Sequence, residues 1–82
     1  MIIKSPFVTE KVTGMIDADN SLEFLVSMRA TKPEIKKALE ELYEVDVLSV
    51  RTMITPRGDK KAIVKLGGER SANELATRLG LL

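Results

Sequence analysis

The sequence predicts an α/β (α+β) fold: a split β-α-β type antiparallel sheet of three to four strands with helices packed on it. Three observations carry this. Leu22, Phe24, Val26 and Met28 alternate at a period of two, which places all four on one face of a strand over residues 21–28. Thr31, Lys32, Pro33 and Glu34 then spell a helix start: a capping Thr, a Glu three positions on to close the capping box, and a Pro in the first turn, where its missing N–H goes unused. Finally, two runs rich in β-branched residues, 47–54 and 61–66, flank the turn-forming stretch Thr55, Pro56, Arg57, Gly58 and Asp59, which reads as a hairpin.

Taken in chain order, the first element is a short helix capped by Thr9, with Val8, Val12, Met15 and Ile16 on one face, although Gly14 costs it up to ~1 kcal/mol. The strand over 21–28 follows. The next helix carries one apolar stripe, Ile35, Ala38, Leu39, Leu42 and Tyr43, and ends near Glu44. In the hairpin, Ala62, Val64 and Leu66 alternate against Lys61, Ile63 and Lys65. After Gly67 and Gly68, Ser71 and Glu74 form a second capping box ahead of Ala72, Leu75, Ala76 and Leu79, and Gly80 stops this last helix. A right-handed crossover places the strand over 61–66 between the other two, with even-numbered strand residues toward the main helices. The opposite face mixes Leu25, Met53 and Ile63 with Arg51, Lys61 and Lys65, and the first helix is expected to cover part of it.

Eighty-two residues make one domain, 1–82, because so short a chain buries only about 60–65% of its unfolded surface and cannot divide its core. With no Cys and no His, disulfides and the usual zinc, haem and iron-sulfur ligand sets are absent, as are most nucleophile and base pairs. No enzyme, metal site or cofactor is expected. Glu40, Glu41, Glu44 and Asp46 read as the solvated side of a helix, and Gly67-Gly68 resembles no phosphate loop. The N-terminus lacks a signal-peptide pattern and no apolar run nears the ~20 residues of a membrane span, so a cytoplasmic protein without membrane insertion is expected.

Net charge is only +1, but its distribution is uneven. Arg51, Arg57, Lys60, Lys61 and Lys65 stand in the hairpin region against the single acid Asp59. Such a hairpin suits phosphate contacts on folded RNA; it equally suits an edge strand that uses lysine to block aggregation. Phe7, Phe24 and Tyr43 are the only aromatics and none adjoins the basic run, which disfavours sequence-specific reading of single strands.

The stretch Ser-Pro-Phe-Val-Thr-Glu-Lys at 5–11 resembles the opening motif of the family of large-subunit ribosomal protein twenty-three. The helix start at 31–35, the Val-x-x-Val-x-Thr pattern at 47–52 and the Lys-Lys-Ala-x-Val pattern at 60–64 resemble further family blocks, in family order. The resemblance implies a structural constituent of the large ribosomal subunit, bound to large-subunit rRNA at the rim of the polypeptide exit tunnel beside ribosomal protein twenty-nine. It implies a docking surface where nascent chains emerge, with Glu10 at the position that serves chaperone docking in bacterial members. Those members carry a long tunnel-reaching loop, whereas here only residues 55–59 join the hairpin strands. The short form resembles archaeal and eukaryotic members, which points to the signal recognition particle and translocon rather than trigger factor. On this reading Lys11, Lys32, Lys36, Arg51, Arg57, Lys60 and Lys61 contact RNA, with Thr9 and Thr52 as neutral donors. The competing class is a small-molecule regulatory or protein-interaction module, since split β-α-β sheets host many functions.

Overall fold

A computed structural model describes residues 1–82. In chain order the elements are β1 (Ile3–Pro6), α1 (Glu10–Asp19), β2 (Ser21–Val26), α2 (Lys32–Tyr43), β3 (Val47–Ile54), β4 (Lys60–Leu66) and α3 (Ser71–Arg78). The strands form one sheet in the order β1-β2-β4-β3, with every neighbouring pair antiparallel. β4 thus lies between β2 and β3, as the split β-α-β arrangement predicts. The fourth strand, β1, has no apolar alternation to announce it; it pairs with β2 at the sheet edge, where Pro6 has no ladder donor to lose.

Leu22, Phe24 and Val26 of β2 and Ala62, Val64 and Leu66 of β4 are buried on the even-numbered face. Ile35 and Leu39 of α2, Ala72, Leu75 and Ala76 of α3, Ile16 of α1 and Ile3 of β1 join this core, and the Phe24 and Tyr43 rings stack with centroids 6.0 Å apart. β3 departs from the expected parity. A bulge between Val47 and Ser49 inserts one residue, so that Val47 pairs with Leu66 and is buried, while Leu48 is expelled to 58% exposure. The alternation resumes at Val50, opposite Val64.

Two further expectations are corrected. β2 stops at Val26 rather than 28, because Ser27 donates its N–H to Ile2 and its carbonyl then closes a turn with the Ala30 N–H, leaving Met28 exposed. Leu42, expected on the α2 stripe, is exposed and borders an open apolar cleft with Ile2 and Ile3, since α2 packs chiefly over β3 and little over β1.

The capping box of α2 forms as expected: Thr31 Oγ1 accepts from the Glu34 N–H at 3.3 Å, and Glu34 Oε1 accepts from the Thr31 N–H at 2.9 Å. The Thr31 backbone N–H and hydroxyl hold the Glu34 carboxyl below its ordinary value of 4.5, with a smaller pull from the Lys60 charge. A depressed folded value means stability that is present above the ordinary value and lost as pH falls through the depressed one. The advantage of the wild type over Glu34→Gln in thermal melts is therefore expected at neutral pH and should vanish in acid; an advantage that persists at low pH would contradict it.

The cap of α3 is not the one the sequence suggests. Arg70, at φ 57°, occupies the N-cap and offers no side-chain bond, while the Ser71 hydroxyl donates to the Gly67 carbonyl instead. Asn20 provides the missing cap from across the fold: its Oδ1 accepts from the Ala72 N–H at 2.8 Å, and its Nδ2 donates to the carbonyls of Leu66 and Gly68 at 2.8 and 2.9 Å. Asn20 also ends α1 in the left-handed conformation, at φ 52°. One side chain therefore joins the ends of α1 and β4 to the start of α3. No helix is long and apolar enough to cross a membrane.

Candidate nucleic-acid interface

The odd-numbered face of the sheet is built in rows by the strand register. Ser21 lies opposite Lys65, which lies opposite Ser49; Glu23, Ile63 and Arg51 form the next row; Leu25, Lys61 and Met53 the third. Because side chains alternate across each strand, a basic sequence is thereby laid beside apolar and acidic neighbours on one surface. α1 packs against β2 and flanks this face, so that Met15 and Asp19 border it beside Arg51 and Ile63.

The molecule forms a single ion pair, between Lys61 Nζ and Glu23 Oε1 at 3.0 Å. Glu23 is 3% exposed, and its Oε1 receives no directed hydrogen bond, so proximity of charge rather than hydrogen-bond geometry holds the pair. Lys61 Nζ also stands 5.2 Å from the centroid of the Phe7 ring, within the range of a cation-π contact. Its neighbour Lys60 points elsewhere and donates to the Ala30 carbonyl at 2.7 Å. Both lysines are tied into the protein's own structure.

The other cations singled out from the sequence are differently placed. Lys11 and Arg51 border one open cleft of about 310 Å³ on the odd-numbered face. Lys32 and Lys36, exposed at the start of α2, border a separate cleft with Leu48 and Val50 beside β3. Arg57 is exposed in the hairpin turn. None of these makes an ion pair. Thr9 is engaged as the cap of α1, accepting from the Val12 N–H at 3.2 Å, while Thr52 lies half-buried on the even-numbered side. Glu10 is exposed in the first turn of α1. The structure thus gathers Lys11 and Arg51 with Lys61 on one face and holds Lys32, Lys36 and Arg57 apart from them.

Lys65, Met15 and Asp19 border this face beside Arg51 and were not among the site residues expected from the sequence. Lys65 shares the parity of Lys61 and Ile63, and that alternation was signal enough to place it beside Arg51. Met15 and Asp19 reach the same cleft only through the packing of α1, which no local pattern encodes.

Over residues 1–74 the chain matches the family described as Ribosomal protein L23. It is 42% identical over 80 residues to the large ribosomal subunit protein uL23 of Methanococcus aeolicus, an alignment that covers 98% of this chain and 93% of that relative.

Proposed function

The chain belongs to the ribosomal protein L23 family, and from that membership we propose how it serves the ribosome. Members are structural, non-enzymatic constituents of the large subunit, and this chain is one of them. Its role is to bind large-subunit rRNA at the rim of the polypeptide exit tunnel, ribosome-bound in the cytoplasm. Ribosomal protein twenty-nine is its neighbour there, and the exposed first turn of α1, with Glu10, joins a docking surface for the signal recognition particle and translocon.

The observation that supports RNA binding best is that six cations around the hairpin, α1 and the start of α2 are exposed and lack carboxylate partners: Lys11, Arg51 and Lys65 on the odd-numbered face, Arg57 at the turn, and Lys32 and Lys36 at α2. Each can meet a phosphate without first breaking an internal pair. Lys60 and Lys61 contribute field rather than contacts on this reading, because their ammonium groups are already engaged.

Binding to large-subunit rRNA should weaken with salt. If these six cations each neutralise one phosphate, log affinity falls on log salt with a slope of about −4 to −5, at the ~0.7 to 0.9 per contact found for nucleic acids. Reversing Arg51, Arg57 and Lys65 to Glu is expected to abolish incorporation into the large subunit while leaving the melting transition in place. A flat salt response, or normal incorporation of the triple variant, would refute the proposed surface.

A further inference from the structure

We propose that the cleft between α1 and the odd-numbered sheet face takes a single unpaired guanosine of the RNA, base inward and phosphate outward. This rests on the RNA-binding reading above and specifies what that face recognises.

The cleft has a volume of about 320 Å³, near the lower end of the roughly 300–1,000 Å³ of small-molecule sites, and shares Met15, Asp19, Arg51 and Ile63 with the cleft beside Lys11. Its lining is chemically mixed. Met15 and Ile63 are half-buried and apolar; Arg51 and Lys65 are exposed cations; Asp19 is an exposed carboxylate. The opposite charges border one cavity yet do not pair, since neither Arg51 nor Lys65 comes within 4.0 Å of Asp19. The Asp19 carboxylate accepts no hydrogen bond from any group of the protein; the Ser21 hydroxyl uses only its backbone carbonyl.

A cavity for phosphate alone would not hold a carboxylate, because the two anions repel at such range. A cavity for an apolar side chain would need neither charge. An unpaired nucleotide has all three complements: an anionic phosphate for Arg51 and Lys65, a flat face to lie against Met15 and Ile63, and donors on its base edge for Asp19. Guanine alone places two adjacent donors, N1–H and the 2-amino group, where both oxygens of one carboxylate can accept them. In a duplex that edge is already paired, so the base must come from a bulge, loop or internal mismatch.

The test is base probing of the complex between the full chain and large-subunit rRNA from its own source, using kethoxal, which reacts at N1 and the 2-amino group of unpaired guanine. One reactive guanine in the free RNA should become protected by the wild type and stay reactive with Asp19→Asn, whose exposed position leaves the melting temperature unchanged. Replacing that guanosine by inosine, which lacks the 2-amino group but keeps N1–H, should weaken wild-type binding by about 10- to 150-fold, the worth of one hydrogen bond to a charged group. It should leave binding of Asp19→Asn nearly unaltered. Retained binding with no guanine protected, or an equal inosine effect in both proteins, overturns the nucleotide site alone. Failure of the wild type to bind the rRNA at all overturns the RNA-binding reading, and this inference with it.

Discussion

Asn20→Ala is expected to destabilise the protein by about 3–4 kcal/mol, out of a total of roughly 4–12 kcal/mol for a domain of this length. Three side-chain hydrogen bonds disappear together, each worth about 1 kcal/mol net. One of the three is the bond from the Ala72 N–H, the cap of α3, and its share matches the roughly 1 kcal/mol that a lost cap costs at a helix N-terminus. Alanine must also hold φ 52°, where its Cβ crowds the following carbonyl by roughly 1 kcal/mol or more. At about 4–8 °C per kcal/mol for a domain of this size, the melting temperature falls by roughly 12–30 °C.

Two companion variants separate the causes. Asn20→Gly removes the same three bonds but accepts the left-handed backbone, so it should recover about 1 kcal/mol of the loss. Asn20→Asp keeps the acceptor for Ala72 and sets a carboxylate against the carbonyls of Leu66 and Gly68, so it should rescue nothing. Urea denaturation of the three variants measures these differences. A loss below 1 kcal/mol in Asn20→Ala would mean that α3 holds its place by apolar packing alone.

This residue also marks where sequence reading stops. The β2 alternation, the α2 capping box and the turn of the hairpin are local patterns, and each element stands where its pattern lies, β2 ending two residues short of its own. Asn20 acts on Ala72, 52 positions away, while the Ser71 and Glu74 pair beside that helix looks like a better cap and is not used. A local rule cannot weigh a donor's remote partner against its near one. The bulge at Leu48 was hidden for a related reason: Val47-Leu48 reads as continuous β-branched and apolar strand, and only the register of β4 reveals that one residue is surplus.

The site was legible in kind and illegible in detail. Counting cations found the basic hairpin and, by parity, the face that carries most of it. It could not distinguish a free cation from an engaged one. Lys60 and Lys61 are adjacent and looked equivalent, yet alternation sends them to opposite sides, one to the Ala30 carbonyl and the other to Glu23. The family motif placed the chain on the ribosome, whereas the apportioning of its charges depends on long-range pairing.

Lys61→Met tests that apportioning, and its expected cost is about 3 kcal/mol. Glu23 and Lys61 sit diagonally across β2 and β4, a spacing that long side chains span. With Glu23 3% exposed, removing the ammonium strands a carboxylate away from water, and breaking one partner of a buried pair costs about 3–5 kcal/mol. The lower end applies because the Lys61 side chain keeps 20% of its surface exposed, so solvent already screens the pair. The reverse variant, Glu23→Leu, leaves a cation that can reach water and still face the Phe7 ring, so it should cost only about 1 kcal/mol. Replacing both, Glu23→Leu with Lys61→Met, removes the uncompensated charge and should return stability to within about 1 kcal/mol of the wild type. That asymmetry and its rescue, read by urea denaturation as a double-mutant cycle, distinguish an internal strut from a surface cation held ready for phosphate. If Lys61→Met instead leaves stability unchanged and lowers rRNA affinity as much as Arg51→Met does, Lys61 belongs with the RNA-facing cations.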